Sequence, residues 1–234
     1  YLQSRKEINS AQLGLVGHSE GGLIAPIVAS KRKKDVAFIV LLAGTGIQGA
    51  DLLLQQQELI GRASGVPEAD LQKSKELNKG LFDLVLNELD SAKLFAASDA
   101  YMRKLLEDIP PSERPQGLTE DQFVNMQLDQ VLNPWMMNFL RFNPQSVLID
   151  VQCPVLALNG ELDLQVPAEV NLNGIRGALK KGGNKKLTTQ VFPKLNHLFQ
   201  HSTTGSPDEY SQIEETISPE VLSTIATWIK TQLN

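Results

Sequence analysis

Residues 11–31 read AQLGLVGHSEGGLIAPIVASK, and this stretch decides the fold. It opens with an apolar run around Leu13, Leu15 and Val16, which has the length and composition of a buried strand. It closes with apolar residues at helical spacing. The glycine-rich segment GHSEGG, residues 17–22, lies between the two. The stretch therefore predicts a strand, a tight turn that carries a serine, and a helix.

The turn has the pattern G-x-S-x-G, with Ser19 at its centre. A serine on a sharp strand-to-helix turn needs small residues two positions away on each side, and we expect Gly17 and Gly21 to meet that need. Such a turn holds the serine in a strained conformation, with its hydroxyl exposed beside the backbone N–H of Glu20. The pentapeptide alone also fits an ordinary close-packed turn, so the rest of the chain must distinguish the two.

The composition of the 234-residue chain predicts one large α/β domain. Its hydrophobic content of 41% and charged content of 21% are typical of a globular protein. The net charge of −5 and the lack of a base-reading motif argue against a nucleic-acid partner. Every apolar run is shorter than the roughly 20 residues that cross a bilayer, so we expect no membrane association. The single Cys153 excludes an intramolecular disulfide and a multi-cysteine metal site.

Further strands are predicted beyond the serine turn. Residues 35–44 form a nearly continuous apolar run, typical of a parallel strand that helices cover on both faces. Strand patterns return at 153–160 and 186–192, and an amphipathic helix is predicted at 219–233. A strand, a helix and a strand on short connections make a βαβ unit. The predicted fold is α/β, with a mainly parallel sheet flanked by helices.

Residues 48–145 have a different character, because they contain no strand-like run. Helices are predicted over 49–63, 67–89, 91–107 and 119–142, with breaks that include Pro110, Pro111 and Pro115. We interpret this region as a helical cap insertion between two core segments, 1–47 and 146–234. A helical subdomain that only adds core is the alternative.

The end of the insertion concentrates aromatic and flexible apolar side chains. We expect Trp135, Met136 and Phe139, together with His18 of the turn, to contact a substrate in a pocket. Packing within the insertion is the alternative for the first three, and packing beside the turn is the alternative for His18.

Three chemically related residues each follow a predicted strand. Ser19 follows the first, Asp163 follows a later one, and His197 follows the last. Residues just beyond the ends of parallel strands share one edge of a sheet. A nucleophilic serine needs a base and a carboxylate that orients the base. The chain order Ser, Asp, His belongs to one hydrolase architecture.

The segments VGHSEGG, LNGELDLQVP and FPKLNHLF resemble the nucleophile, acid and histidine regions of alpha/beta-hydrolase serine esterases. They are most similar to dienelactone-hydrolase-like and prolyl-oligopeptidase-like bacterial hydrolases. The resemblance implies that Ser19 is the nucleophile, Asp163 the acid and His197 the general base. It also implies that the Glu20 backbone N–H forms half of the oxyanion hole. The implied substrate is a small-molecule carboxylic ester, and no cofactor or metal is implied.

Several alternatives remain open at this stage. Glu161 could replace Asp163 as the acid. His197 and His201 are four residues apart and could form a metal pair, although no acidic or cysteine ligand accompanies them at metal-site spacing. The same fold also includes peptidases and amidases, and a protein of this shape can be a non-catalytic binding protein.

The sequence also departs from the family. These hydrolases normally have further strands before the serine turn, and a loop among those strands donates the second oxyanion N–H. We therefore expect this chain to be the C-terminal portion of a longer protein, with residues 1–8 ending a helix. We expect this portion alone to be a poor catalyst, since one oxyanion donor is typically worth about a hundredfold in rate. Its open sheet edge could support a homo-oligomer. Cellular localisation cannot be predicted.

Overall fold

The computed structural model describes residues 1–107, 109 and 117–233. Within this part of the chain, four strands form one parallel sheet in the order β1-β2-β3-β4. The strands are Gly14–His18 (β1), Phe38–Leu42 (β2), Val155–Gly160 (β3) and Leu187–Phe192 (β4). Because all four run in the same direction, their carboxyl ends lie at one edge of the sheet, as the motif positions predicted.

The helices connect and cover these strands. Helix α1 joins β1 to β2, helices α2 to α7 lie between β2 and β3, and α8 joins β3 to β4. Their bounds are Glu20–Lys31 (α1), Gly49–Ala63 (α2), Glu68–Asn87 (α3), Ser91–Glu107 (α4), Glu120–Leu132 (α5), Pro134–Arg141 (α6), Gln145–Leu148 (α7), Ala168–Lys181 (α8) and Pro219–Gln232 (α9). Short 3₁₀ turns occur at Leu2–Ser4, Ser10–Gln12 and Pro207–Gln212.

Hydrophobic clusters cover both faces of the sheet. Every residue of β2 and β3 is buried, and for β2 this confirms the prediction from the continuous apolar run at 35–44. On one face the strands pack against α1, α7 and α8. On the other they pack against α9, where the rings of Phe38 and Trp228 meet edge to face at 5.9 Å. This two-sided packing fixes the strand ends that carry the site.

Helices α2 to α6 pack around their own hydrophobic cluster, which includes Leu81, Phe82, Leu94 and Leu128. This helical insertion is tied internally by Arg141, whose guanidinium donates to the backbone carbonyls of Val85 and Glu88. The insertion thus has a core separate from the two clusters of the sheet. None of the helices among the described residues is long and apolar enough to cross a membrane.

Strand β1 lies at one edge of the sheet and pairs only with β2 among the described residues. Val16 on this strand is 55% exposed. The open edge that the sequence predicted is therefore present, and the homo-oligomer suggested for it stays a prediction.

Two of the predicted helices differ from the structure. The predicted helix end at residues 1–8 is a 3₁₀ turn over Leu2–Ser4, because this exposed segment has no apolar face to bury. The predicted helix 119–142 is divided into α5 and α6, because Asn133 accepts from the N–H of Met136 and Pro134 begins the new helix. The breaks predicted at Pro110, Pro111 and Pro115 lie outside the described residues.

Candidate active site

Ser19 occupies the turn between β1 and α1. Its backbone has φ 54° and ψ −115°, a conformation that non-glycine residues rarely adopt. The Ser19 N–H donates to the Leu42 carbonyl at 2.9 Å, and the Ser19 carbonyl accepts from the Gly22 N–H at 2.9 Å. These bonds hold the turn against the neighbouring strand. Strain of this kind persists where the surrounding structure enforces it, and it concentrates at functional sites.

Close packing explains part of the glycine pattern. A Cβ atom on Gly17 would lie 2.0 Å from the Gly21 carbonyl oxygen, so only glycine fits there. A Cβ atom on Gly21 would meet nothing within 4 Å, which contradicts the expectation that this residue must be small. The second close approach is at Gly22 instead, where a Cβ would lie 2.7 Å from the Gly44 Cα. Strand and helix therefore approach each other at Gly17 and Gly22.

Asp163 and His197 form a buried hydrogen-bonded pair. The His197 Nδ1 lies 3.0 and 2.9 Å from the two carboxylate oxygens of Asp163. The two residues are 3% and 4% exposed, respectively. Because a carboxylate only accepts, Nδ1 carries the proton and Nε2 of the neutral ring is left as an acceptor. This is the tautomer that a general base needs.

The loop after β3 holds the Asp163 carboxylate in place. Its Oδ1 accepts from the N–H groups of Gln165 and Val166 at 2.9 and 2.8 Å. Asn159 Nδ2 approaches Oδ2 at 3.4 Å and donates to the Val166 carbonyl at 2.9 Å. Glu161, the alternative acid, instead accepts from the Lys194 N–H at 3.0 Å and is exposed. The structure therefore pairs His197 with Asp163.

His18 contacts the other side of the histidine loop. Its Nε2 donates to the His197 carbonyl at 2.8 Å, and the two imidazole rings lie 4.8 Å apart between centroids. Partial burial lowers the pKa of His18, the hydrogen bond to the His197 carbonyl opposes this shift, and the nearby His197 ring adds to it. His18 also lines a 480 Å³ cavity with Phe199 and Leu42, which is a different cavity from the one that Ser19 lines.

Ser19 lines a cavity of 260 Å³ between the sheet edge and the helical insertion. Trp135 and Phe139 of α6 line the same cavity, and their rings stack at 5.4 Å. The Trp135 Nε1–H donates to the Glu20 carboxylate at 2.9 Å. Met136, which we expected beside them, packs against the hydrophobic cluster of the insertion. Successive residues of a helix are turned by about 100°, so Met136 projects from a different side of α6 than Trp135 and Phe139, which are four positions apart and share a face.

No hydrogen bond joins the Ser19 hydroxyl to the histidine pair among the described residues. Among the described residues, neither the Ser19 hydroxyl nor the His197 Nε2 has a hydrogen-bond partner. Ser19 is nevertheless adjacent in sequence to His18, whose ring touches His197. Gln165 and Val166, which bind the Asp163 carboxylate, also line the cavity of Ser19. The three predicted side chains thus lie at one edge of the sheet.

Sequence reasoning missed the polar groups around Asp163. Gln165 donates to the Tyr210 hydroxyl at 2.9 Å and accepts from Gln56 of α2 at 3.4 Å. Asn159 is wholly buried and its Oδ1 has no partner among the described residues. A polar residue inside the apolar run of β3 was the available signal for Asn159.

The metal alternative finds no support in the geometry. His201 Nδ1 lies 2.9 Å from the Glu215 carboxylate, and His197 is bonded to Asp163. In the part of the chain that the structure describes, no group of three His, Cys, Asp or Glu side chains could hold a metal ion.

A larger cavity of 540 Å³ lies beyond Asp163 and is lined by Glu161, Glu169 and Arg176. Ser19 does not border it.

One protein family matches the chain. Residues 1–108 match the family described as BAAT / Acyl-CoA thioester hydrolase C terminal. The match includes Ser19 and ends before Asp163 and His197. No significant match was found among curated proteins.

Solved structures of low sequence identity also match. Proline iminopeptidase of Mycobacterium smegmatis is 13% identical, with 93% of this chain and 64% of that chain covered and a TM-score of 0.42. A meta-cleavage product hydrolase from Pseudomonas fluorescens IP01 is 11% identical, with 99% and 75% covered and a TM-score of 0.40. The monoacylglycerol lipase of Paleococcus ferrophilus is 15% identical, with 93% and 67% covered and a TM-score of 0.41.

This chain spans 64% of the length of the iminopeptidase that it matches. The parallel sheet, the serine turn at the end of β1 and the family match to residues 1–108 agree with the fold that the sequence motifs predicted. The chain has an alpha/beta-hydrolase fold.

Proposed function

We propose that this chain carries the catalytic groups of a serine hydrolase that cleaves carboxylic esters. Ser19 attacks the ester carbonyl, and His197 takes the serine proton and returns it to the leaving alcohol. Asp163 orients the imidazole and stabilises its cation. Water then repeats the sequence on the acyl-enzyme and releases the acid.

The observation that carries this proposal is the buried hydrogen bond between His197 Nδ1 and Asp163 at 2.9 Å. Two backbone N–H groups hold the buried Asp163 carboxylate in place, and its hydrogen bond to Nδ1 leaves Nε2 of His197 available as a base. The strained backbone of Ser19 at the same sheet edge supports its role as nucleophile.

The proposal requires one further hydrogen bond, from the Ser19 hydroxyl to His197 Nε2. Both groups are without partners among the described residues, so neither has a competing bond to break. Catalytic hydrogen bonds are often long in the absence of substrate and tighten when it binds. We therefore infer that this bond forms in the substrate complex.

The developing oxyanion needs N–H donors. Glu20 is the first residue of α1, and the first N–H groups of a helix have no acceptor within it. The positive end of the helix points the same way. We assign the Glu20 N–H as one donor, as the family resemblance implies, and this chemistry uses no cofactor or metal.

The acyl group would lie against the apolar side chains of the 260 Å³ cavity, under α6 as a cap. The matched family is described as a thioester hydrolase, which supports thioesters as substrates of the same acyl transfer. Peptide and amide cleavage use the same groups and remain the second candidate. A non-catalytic binding protein of the same shape is the third.

Turnover of p-nitrophenyl butyrate by this chain and by Ser19→Ala tests the proposal. We expect Ser19→Ala to lower kcat by about a thousandfold or more, because the nucleophile is lost. Ser30→Ala in the same helix should change kcat less than twofold and serves as the matched control. Equal rates for the chain and for Ser19→Ala would contradict the proposal and favour the binding protein.

A further inference from the structure

The side chain of Glu20 lies between the serine and the helical insertion. Its carboxylate accepts from the Trp135 indole N–H at 2.9 Å, across 115 positions of sequence. Both residues line the same cavity as Ser19. The carboxylate is therefore held at the wall of the cavity, one residue away from the serine.

Glu20 supplies the charge of this cavity. The other described residues that line it are apolar or carry neutral hydroxyl, amide or indole groups. No Lys, Arg or His lines it within the described part of the chain. The Trp135 N–H is a neutral donor, so it orients the carboxylate without cancelling the charge. The cavity therefore has a net negative wall.

The charge of Glu20 affects the binding of substrate and of product differently. In ester hydrolysis, R–CO–OR′ and water give R–COO⁻, R′OH and a proton. The ester is neutral, whereas the acid leaves as a carboxylate beside Ser19. Glu20 is exposed and Trp135 is 54% exposed, so water screens this charge in part, but like charges a few ångströms apart at a protein surface still repel. The wall that tolerates the neutral ester thus disfavours the anionic product.

We infer that Glu20 is a specificity-determining residue that excludes anionic ligands from the Ser19 cavity and speeds release of the carboxylate product. The cavity then selects neutral acyl groups over dicarboxylic or other anionic ones. The product-release step rests on the proposed function, whereas the exclusion of anions can be measured without catalysis.

A structural role for Glu20 must be distinguished from this one. An acidic residue in the first turn stabilises a helix through its dipole, and the bond to Trp135 anchors α6. Glu20→Gln keeps an oxygen that can accept from Trp135 but removes the charge. A merely structural role predicts that this variant binds neutral and anionic ligands with equally altered affinity.

Binding of hexanoate and hexanamide, followed by Trp135 fluorescence, tests the inference. The Trp228→Phe background leaves Trp135 as the single tryptophan, since the chain has two. We expect Glu20→Gln to tighten hexanoate binding by about tenfold and to shift hexanamide by less than twofold. Glu107→Gln, which removes an exposed charge at the end of α4, is the matched control and should shift neither ligand.

Equal shifts for the two ligands, or no shift for hexanoate, would overturn the inference. Failure of both ligands to bind any variant would also overturn it, because the cavity would then accept no acyl-sized ligand. Ser19→Ala in the same assay should retain the difference between the two ligands. If the two ligands still differ but the unsubstituted chain turns over no ester, the proposed function is refuted and the exclusion of anions stands.

Discussion

The acid–histidine side and the serine side of the site are built differently. Asp163 and His197 are buried and bonded to each other, and the Asp163 carboxylate has two backbone donors from its own loop. Close glycine packing holds Ser19 in a strained backbone conformation, and its hydroxyl makes no hydrogen bond within the described residues. In the proposed mechanism the base is thus fixed before substrate arrives, whereas the nucleophile is left free to engage it.

The largest expected effect separates the two carboxylates near the histidine. Asp163→Asn should lower kcat for p-nitrophenyl butyrate by about 10⁴-fold, because an amide N–H facing Nδ1 favours the wrong tautomer. Glu161→Gln should change kcat by less than threefold, since Glu161 bonds the Lys194 N–H instead. Comparable losses in both variants would show that the acid was assigned wrongly.

The serine side should be sensitive to the size of one glycine. Gly17→Ala should lower the free energy of unfolding by about 3 kcal/mol, because its Cβ would lie 2.0 Å from the Gly21 carbonyl oxygen. Gly21→Ala meets nothing within 4 Å and should be neutral or stabilising by up to about 1 kcal/mol. Urea unfolding measures both, and equal effects would contradict the packing described for the turn.

A smaller effect tests the link from the serine side to the insertion. Trp135→Phe keeps a ring that can stack on Phe139 but removes the N–H that donates to Glu20. We expect kcat/KM for the butyrate ester to fall by about threefold and the free energy of unfolding by about 1 kcal/mol or less. Phe95→Leu, an exposed aromatic in α4, is a control that should leave kcat/KM unchanged. A hundredfold loss in Trp135→Phe would mean that α6 takes part in the chemistry.

The smallest expected effect concerns pH. The pKa of His18 is lowered in the folded chain, mainly by partial burial, so the unfolded chain binds more protons just below the ordinary value. Stability from a neutral His18 is therefore present above pH 6.5 and is lost as the pH falls below it. His18→Gln should flatten this part of the curve of unfolding free energy against pH. An unchanged slope between pH 6.5 and 5 would show that His18 does not contribute it.

The sheet was predictable because its signal is local. The run in β2 is apolar at every position and the run in β3 is apolar up to Asn159, and a strand that helices cover on both faces needs such a run. The division of the last insertion helix was signalled by Asn133 and Pro134, a cap followed by a first-turn proline, but the apolar periodicity continued across it. The 3₁₀ turn at Leu2–Ser4 lacks any such local signal.

The pairing of Asp163 with His197 was predictable from the sequence, whereas the groups around the site were not. Asp163 and His197 stand at strand ends in a family pattern, so their pairing could be anticipated from sequence. Glu20 and Trp135 are 115 positions apart, and neither belongs to a motif that specifies the other. The close approach lies at Gly22 and not at Gly21 because Gly44 lies beside Gly22. The position of Gly44 is set by the packing of α1 on β2, which no local pattern specifies.

The most direct test of the account is intact-mass analysis after treatment with a fluorophosphonate probe. We expect one adduct, located on Ser19 by peptide mapping, absent in Ser19→Ala and formed much more slowly in His197→Gln. An adduct on another residue, or labelling of Ser19→Ala to the same extent, would contradict the claim that Ser19 is the nucleophile activated by His197.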